Sequence, residues 1–238
     1  HLITRYSGAN AETAPLHRLG SDQWEKIKRR AAEKVHDVAA ELLSIYARRE
    51  TNPRFQFDQP DTEYQRFTEQ FPFEVTLDQQ QAIDEVIADL CSTHATDRLI
   101  CGDVGFGKTE VALRAAFATA LDGRQVAVVV PTTLLCRQHF QTFGDRFQGL
   151  PVRIEQISRL VTAKRVRKVK AGLADGTVDI VIGTHALLAK DVEFRDLSLL
   201  VIDEEQHFGV SHKERLKKLK ADVHVLTLTA TPIPRPLQ

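Results

Sequence analysis

Leu99-Ile100-Cys101-Gly102-Asp103-Val104-Gly105-Phe106-Gly107-Lys108-Thr109 is the stretch that decides the fold. Residues 102–109 satisfy G-x-x-x-x-G-K-[ST] in full, behind a short apolar strand and ahead of a helix starting near Lys108. Gly102, Gly105 and Gly107 let backbone N–H groups turn inward around phosphate oxygens, with Asp103, Val104 and Phe106 between them. The helix N-terminus adds its positive end. Lys108 supplies a point charge for the β- and γ-phosphates of a nucleotide, and the Thr109 hydroxyl a ligand for Mg²⁺. The pattern therefore predicts ATP and Mg²⁺ as cofactors.

Outward from this loop, short β-branched runs alternate with helical stretches. The runs are Arg98–Cys101, Val126–Val130, Val152–Gln156, Asp179–Ile182, Leu199–Ile202 and Val223–Leu228. The helical stretches are 76–91, 108–121, 133–146, 162–173 and a further one at 211–219. Strands made almost wholly of Val, Ile and Leu are buried on both faces, and alternation with helices makes the sheet parallel. The fold class predicted is α/β, a P-loop lobe with a mostly parallel sheet flanked by helices. Such a sheet binds ligands at the carboxyl ends of its strands.

A second motif falls at such an end. Leu199-Leu200-Val201-Ile202 runs into Asp203-Glu204-Glu205. Adjacent carboxylates delivered by four apolar residues are costly unless a cation meets them. Asp203 is expected to hold the Mg²⁺ ion with Thr109, and Glu204 to orient and polarise the attacking water. Lys108, Asp203 and Glu204 are the predicted catalytic residues.

Before the lobe, residues 1–20 form no complete unit, though Leu2, Ile3 and Tyr6 suit a last strand of something upstream. Residues 22–50 read as one helix, with Asp22 and Glu25 in capping-box positions. Trp24, Ile27, Ala31, Val35, Val38, Leu42 and Ile45 line it at spacings of three and four. At 1.5 Å per residue it would be about 43 Å long. A packing helix with a solvated basic face and a connector between two bodies both fit. Residues 53–75 are an aromatic-rich linker, with a helix near 61–69.

Composition narrows the class. Of 238 residues, 42% are hydrophobic and 27% charged, ordinary for a soluble globular chain. No apolar run reaches the roughly 18 residues of a membrane span, so no membrane partner is expected. No secretory signal pattern opens the chain. Without any Met, the sequence reads as a piece of a longer protein. Cys91, Cys101 and Cys136 match no zinc spacing and are expected to be small buried hydrophobes in a reducing cytosol. Zero net charge argues mildly against a nucleic-acid binder.

Further motifs resemble a family. Asp203-Glu204 after a buried strand, followed by Thr229-Ala230-Thr231-Pro232, resembles superfamily 2 helicases and translocases, whose motor lobes are RecA-like. In that family the Thr-Ala-Thr segment couples nucleotide state to lobe movement, which the resemblance gives to Thr229, Ala230 and Thr231. Phe73-Glu74-Val75-Thr76-Leu77-Asp78-Gln79 resembles the family's adenine-reading segment. A Gln amide both donates and accepts, so Gln79 suits an adenine edge, and Phe71 or Phe73 could stack on the ring. Pro131-Thr132-Thr133 and Gly183-Thr184-His185 resemble the DNA-backbone motifs, with Arg159 a further candidate. The basic run Lys164, Arg165, Arg167, Lys168 and Lys170 reads as a solvated helix face or a DNA track.

Within the superfamily, residues 102–112, 203–210 and 16–20 resemble the transcription-repair coupling factors more than the RecG fork-remodelling translocases. His207 and Pro236 depart from the usual Arg and Thr. The resemblance implies a bacterial cytoplasmic motor that moves on double-stranded DNA, displaces stalled RNA polymerase and recruits UvrA. It divides the chain into 1–20, the tail of a polymerase-interacting domain; 21–52, a connector (relay) helix; 53–75, the linker; and 76–238, the first ATP-binding lobe. A second lobe carrying an arginine finger is the implied partner. The chain by itself is expected to bind ATP and hydrolyse it poorly. A RecG-like lobe and a nucleotide-gated docking module are the rival readings.

Overall fold

The computed structural model describes residues 62–205 and 222–230, with single positions at 26, 29, 30, 32, 33, 43, 57, 208, 216, 219 and 220. The chain divides into two compact units, His1–Ala47 and Arg48–Gln238. In the first, Lys26, Arg29, Arg30, Ala32, Glu33 and Leu43 are helical, and Arg29 pairs with Glu33 one turn on at 3.8 Å. The rest of the expected connector helix, the tail 1–20, and the departures at His207 and Pro236 lie outside the described residues.

In the second unit the described elements are α1 (Thr62–Glu69), α2 (Leu77–Leu90), β1 (Asp97–Cys101), α3 (Lys108–Leu121), β2 (Gln125–Val129), α4 (Thr133–Arg146), β3 (Ile154–Ile157), α5 (Ala163–Asp175), β4 (Ile180–Gly183), a 3-10 turn (His185–Leu188), β5 (Leu197–Asp203) and β6 (His224–Thr229). All six strands are parallel, in the order β1-β6-β5-β2-β4-β3. Each expected strand of the lobe, and each expected helix before 211, appears within a few residues of its predicted ends. For the stretch 211–219, the described positions Leu216, Leu219 and Lys220 are helical.

Local chemistry starts the helices. Thr76 caps α2 in a capping box with Gln79. Thr132 caps α4 through Leu135 N–H, and Thr162 caps α5 through Arg165 N–H. Gly176, left-handed at φ +81°, ends α5.

Helices cover both faces. On one, α1 to α4 pack on Val126, Val128, Ile180, Ile182, Val201 and Leu228. On the other, α5, the 3-10 turn and the segment of Leu216 pack on Ala127, Val129, Val181, Leu200, Ile202 and Val225. β2, β4 and β6 are buried throughout, and so is the middle of β5. The edge strands depart from the expectation of two buried faces. β1 alternates between exposed and half-buried positions, with Leu99 53% exposed, and β3 is half-buried over three of its four residues. An edge strand has a neighbour on one side only, so covering helices overlap it incompletely.

This corrects one cysteine. Cys91 and Cys136 are buried as expected, but Cys101 is exposed because it ends the edge strand β1. Burial pushes the Cys136 thiol up to about 11, against a smaller lowering from Ser158.

An ionic cluster joins three helices beside the phosphate loop. Glu110, next to Thr109, accepts from Arg114 Nε at 2.9 Å and Arg146 Nη2 at 3.2 Å, all largely buried. Arg146 also donates to the Phe67 carbonyl at 2.6 Å and lies 3.9 Å over the Phe67 ring. Phe67 stacks on Phe117 of α3 at 4.1 Å. The aromatic-rich linker is thus anchored on the P-loop helix through α1.

Candidate nucleotide site

Strand order brings the two acidic and glycine motifs together. β6 alone separates β1 from β5. Cys101 pairs in register with Thr229, and Asp203 with Leu228. At strand spacing the two ends lie about 10 Å apart. Gly102 N–H donates to the Thr229 carbonyl at 3.2 Å, which continues the ladder into the loop.

The loop has the backbone its glycines require. Gly105 and Gly107 have φ of +90° and +72°. A Cβ on Gly107 would stand 2.5 Å from Gln79 Nε2, so a side chain there would be strained in conformation and would push the Gln79 amide aside. Lys108 Nζ donates to the carbonyls of Gly102 at 2.5 Å and Asp103 at 2.9 Å, which keeps the ammonium within the curl of the loop. Thr109 is half-buried on the first turn of α3. Val104 and Phe106 project outward, 89% and 63% exposed.

Gln79 ties α2 to this loop. Its Oε1 accepts Thr76 N–H at 2.9 Å and its Nε2 donates to the Phe106 carbonyl at 2.7 Å. Each end of the amide keeps capacity for one more bond. A cleft of about 720 Å³ opens between them, lined by Thr76, Gln79, Gly102, Gly105, Lys108 and Ala230 among others. That size suits a small-molecule ligand. Phe73 lies three residues before the cap, exposed and edge-on to Phe71 at 5.5 Å.

At the acidic end, Glu204 has φ +55°, the sole non-glycine residue with positive φ among the described residues. Such a conformation is held against a cost of order 1–3 kcal/mol and clusters at functional sites. Its N–H donates to the Leu228 carbonyl at 2.9 Å, and its Oε1 accepts Ala230 N–H at 3.1 Å. Two strand ends are thereby locked. Glu205 turns away to Lys220, with both oxygens at 2.9 Å.

Among the described residues no group of three or more His, Cys, Asp or Glu side chains converges to hold a metal. The donor set fits Mg²⁺ nonetheless, because this ion keeps its waters and takes one or two protein oxygens plus phosphates. Of the expected ligands, Thr109 stands on the first turn of α3 and Asp203 at the end of β5.

The family described as DEAD/DEAH box helicase matches residues 76–238. The chain belongs to this helicase family.

Among helicase-family relatives, it is similar to the transcription-repair-coupling factor of Haemophilus influenzae, 56% identical over 237 residues, 100% of this chain and 21% of the relative. The namesake from Escherichia coli is 58% identical over 237 residues, again 100% and 21%. That from Staphylococcus epidermidis is 50% identical over 235 residues, 99% and 20%. The chain spans about a fifth of the length of these curated relatives. Among solved structures it resembles RecG bound to a three-way DNA junction, with TM-score 0.70 and 34% identity over 82% of this chain and 26% of that one. The DUF1998 helicase MrfA shares the fold at TM-score 0.58 and 14% identity, over 76% of this chain and 31% of that one.

Against this helicase-family frame the remaining sequence candidates sort by exposure. Pro131, Thr132, Thr133, Arg159 and His185 have accessible surface at or just beyond the carboxyl ends of β2, β3 and β4. Gly183 and Thr184 do not. Thr184 is 2% exposed and spends its N–H on the Ile157 carbonyl. A Cβ on Gly183 would meet the Ile157 carbonyl at 2.7 Å. Both are packed against the end of β4 in this structure. Two residues of the basic run are used internally, Arg165 on Glu155 at 3.1 Å and Lys170 on Asp191 at 2.6 Å. Thr231 lies outside the described residues. No helix among them is long and apolar enough to cross a membrane.

Sequence reasoning missed His139, whose Nε2 stands 2.9 Å from Asp203 Oδ2. The signal was a histidine on the buried stripe Cys136, His139, Phe143 of α4.

Proposed function

We propose that this chain is the first ATP-binding lobe of a double-stranded DNA translocase that displaces stalled RNA polymerase and couples transcription to nucleotide excision repair. The observation that carries the motor reading is the single strand between the P-loop and Asp203-Glu204, with Ala230 N–H on the Glu204 carboxylate. The coupling-factor relatives, matched along the full chain, support the finer task.

Loop N–H groups and the α3 N-terminus would grip the phosphates, with Lys108 neutralising charge on the β and γ positions. Thr109 and Asp203 would hold Mg²⁺, which when bound neutralises charge that develops between those phosphates. Glu204 would hold the attacking water and draw on its proton. Any change at the phosphates that moves Glu204 would move the Thr229–Thr231 segment through Ala230. Gln79 would read adenine with the remaining capacity of its amide, with Phe73 close to the base. Pro131, Thr132, Thr133, Arg159 and the Gly183-Thr184-His185 segment would touch the DNA backbone without reading bases.

An arginine finger is worth on the order of 10³–10⁵ in rate, so this lobe alone would bind ATP and turn it over slowly. The second lobe, RNA polymerase and UvrA are the proposed partners, and the bacterial cytoplasm the proposed location. The test is DNA-stimulated ATPase and polymerase displacement by the longer protein, wild type and Glu204→Gln. Retained ATP binding with displacement lost supports the motor. Displacement intact in Glu204→Gln supports a docking module instead. The RecG likeness favours a second reading, fork remodelling; ATPase stimulated by branched DNA and indifferent to stalled polymerase would select it.

A further inference from the structure

We propose that His139 is a positioning residue for the Mg²⁺-binding carboxylate, holding Asp203 by one oxygen so that the other faces the ion's water shell. The inference rests on the nucleotide reading above and adds a residue to it.

Asp203 ends β5, two strands from the phosphate loop. A carboxylate at a strand end rotates about two side-chain bonds unless something fixes it. His139 Nε2 meets Asp203 Oδ2 at 2.9 Å, and no bond to Oδ1 is found among the described residues. Both side chains are largely enclosed, at 10% and 14% exposure. His139 is itself held from behind, on the buried face of α4 between Cys136 and Phe143. The residue is therefore fixed in place and aimed at one oxygen of the pair.

A carboxylate acceptor requires a donor, so Nε2 carries the proton in this arrangement. A neutral Nε2–H imidazole suffices. Partners outside the ligand shell that orient a metal-binding carboxylate contribute to ion affinity without touching the ion. The placement also has a mechanical side. α4 begins at Thr133, in the segment proposed to meet DNA, and His139 lies less than two turns along it. A displacement of α4 on DNA would therefore reach Asp203 through a single hydrogen bond.

The test uses a fluorescent ADP analogue, titrated onto this chain in EDTA and in Mg²⁺. The readout is the affinity gained from Mg²⁺. His139→Leu removes the donor at similar volume, and His139→Gln returns an N–H near the Nε2 position. The expected result is that the Leu variant keeps the EDTA affinity and loses roughly 10- to 100-fold of the Mg²⁺ gain, with the Gln variant restoring most of it. A Leu variant with the full Mg²⁺ gain overturns the proposal, as does a loss that appears equally in EDTA, which marks a packing role. Wild type that binds the analogue in neither condition would instead sink the nucleotide reading, and this inference with it. Should the Leu variant fail to fold, the ¹⁵N signals of His139 in wild type decide. A protonated Nε2 is expected, and an unprotonated Nε2 contradicts the proposal.

Discussion

The Glu204 carboxylate accepts the backbone N–H of Ala230 across 3.1 Å, joining the end of β5 to the end of β6. The bond crosses 26 residues of sequence and lies beside the glycine loop, because Ala230 lines the same cleft. It makes the residue proposed to handle the water the anchor of the segment proposed to transmit the result.

That anchor can be read without chemistry. Glu204→Ala removes the acceptor, and the Ala230 amide should exchange with solvent roughly 5- to 13-fold faster, as a lost bond of about 1–1.5 kcal/mol requires. Glu204→Gln keeps an acceptor oxygen and should leave that amide protected. Equal exchange in both variants would remove the proposed link.

Gly107→Ala tests the loop. Left-handed backbone costs a residue with a Cβ about 1–2 kcal/mol, and the new methyl would displace Gln79 from the Phe106 carbonyl. Urea denaturation should show a loss of at least that size, and adenine nucleotide affinity should fall with it. Unchanged stability would mean that the loop relaxes to another conformation.

The ionic cluster at α1, α3 and α4 should behave as a unit. Removing one partner of a buried ion pair typically costs about 3–5 kcal/mol. Arg146→Ala also strips the cation from Phe67. A double-mutant cycle of Glu110→Ala and Arg146→Ala, read by chemical denaturation, should give a coupling of about 1 kcal/mol or more. Strict additivity would show that the two side chains do not cooperate.

Alkaline pH should weaken the same region through Tyr64. Burial pushes its phenol up to about 12 from the ordinary value of 10.0, with the Arg114 charge pulling the other way. The folded state therefore favours the neutral phenol. The contribution is complete below pH 10 and fades as pH rises through the folded value. Wild type should lose on the order of 2 kcal/mol relative to Tyr64→Phe between pH 9 and 12. Parallel stability curves for the two proteins across that range would contradict the assignment.

The fold was legible because its signals are local. Runs such as Val126–Val130 and Leu199–Ile202 have the composition of doubly buried strands, and Thr76, Thr132 and Thr162 cap helices where the pattern starts them. The glycine loop and Asp203-Glu204 were legible for a related reason: each is a contiguous motif at a strand end. What escaped was set by the order of strands. Cys101 reads as one more buried residue of an apolar run until β1 proves to be an edge. The enclosure of Gly183 by the Ile157 carbonyl and Leu187 likewise depends on β3 lying beside β4. The contacts of Gln79 with Phe106 and of His139 with Asp203 span 27 and 64 residues, and no local pattern encodes either.

The most direct measurement is a calorimetric titration of this chain with a non-hydrolysable ATP analogue and Mg²⁺, beside Lys108→Ala. The account predicts saturable one-to-one binding by wild type and a loss of roughly tenfold or more in the variant, as removal of a charge-assisted hydrogen bond worth about 1.5–3 kcal/mol implies. No saturable binding at millimolar analogue, or equal binding by both proteins, would contradict it.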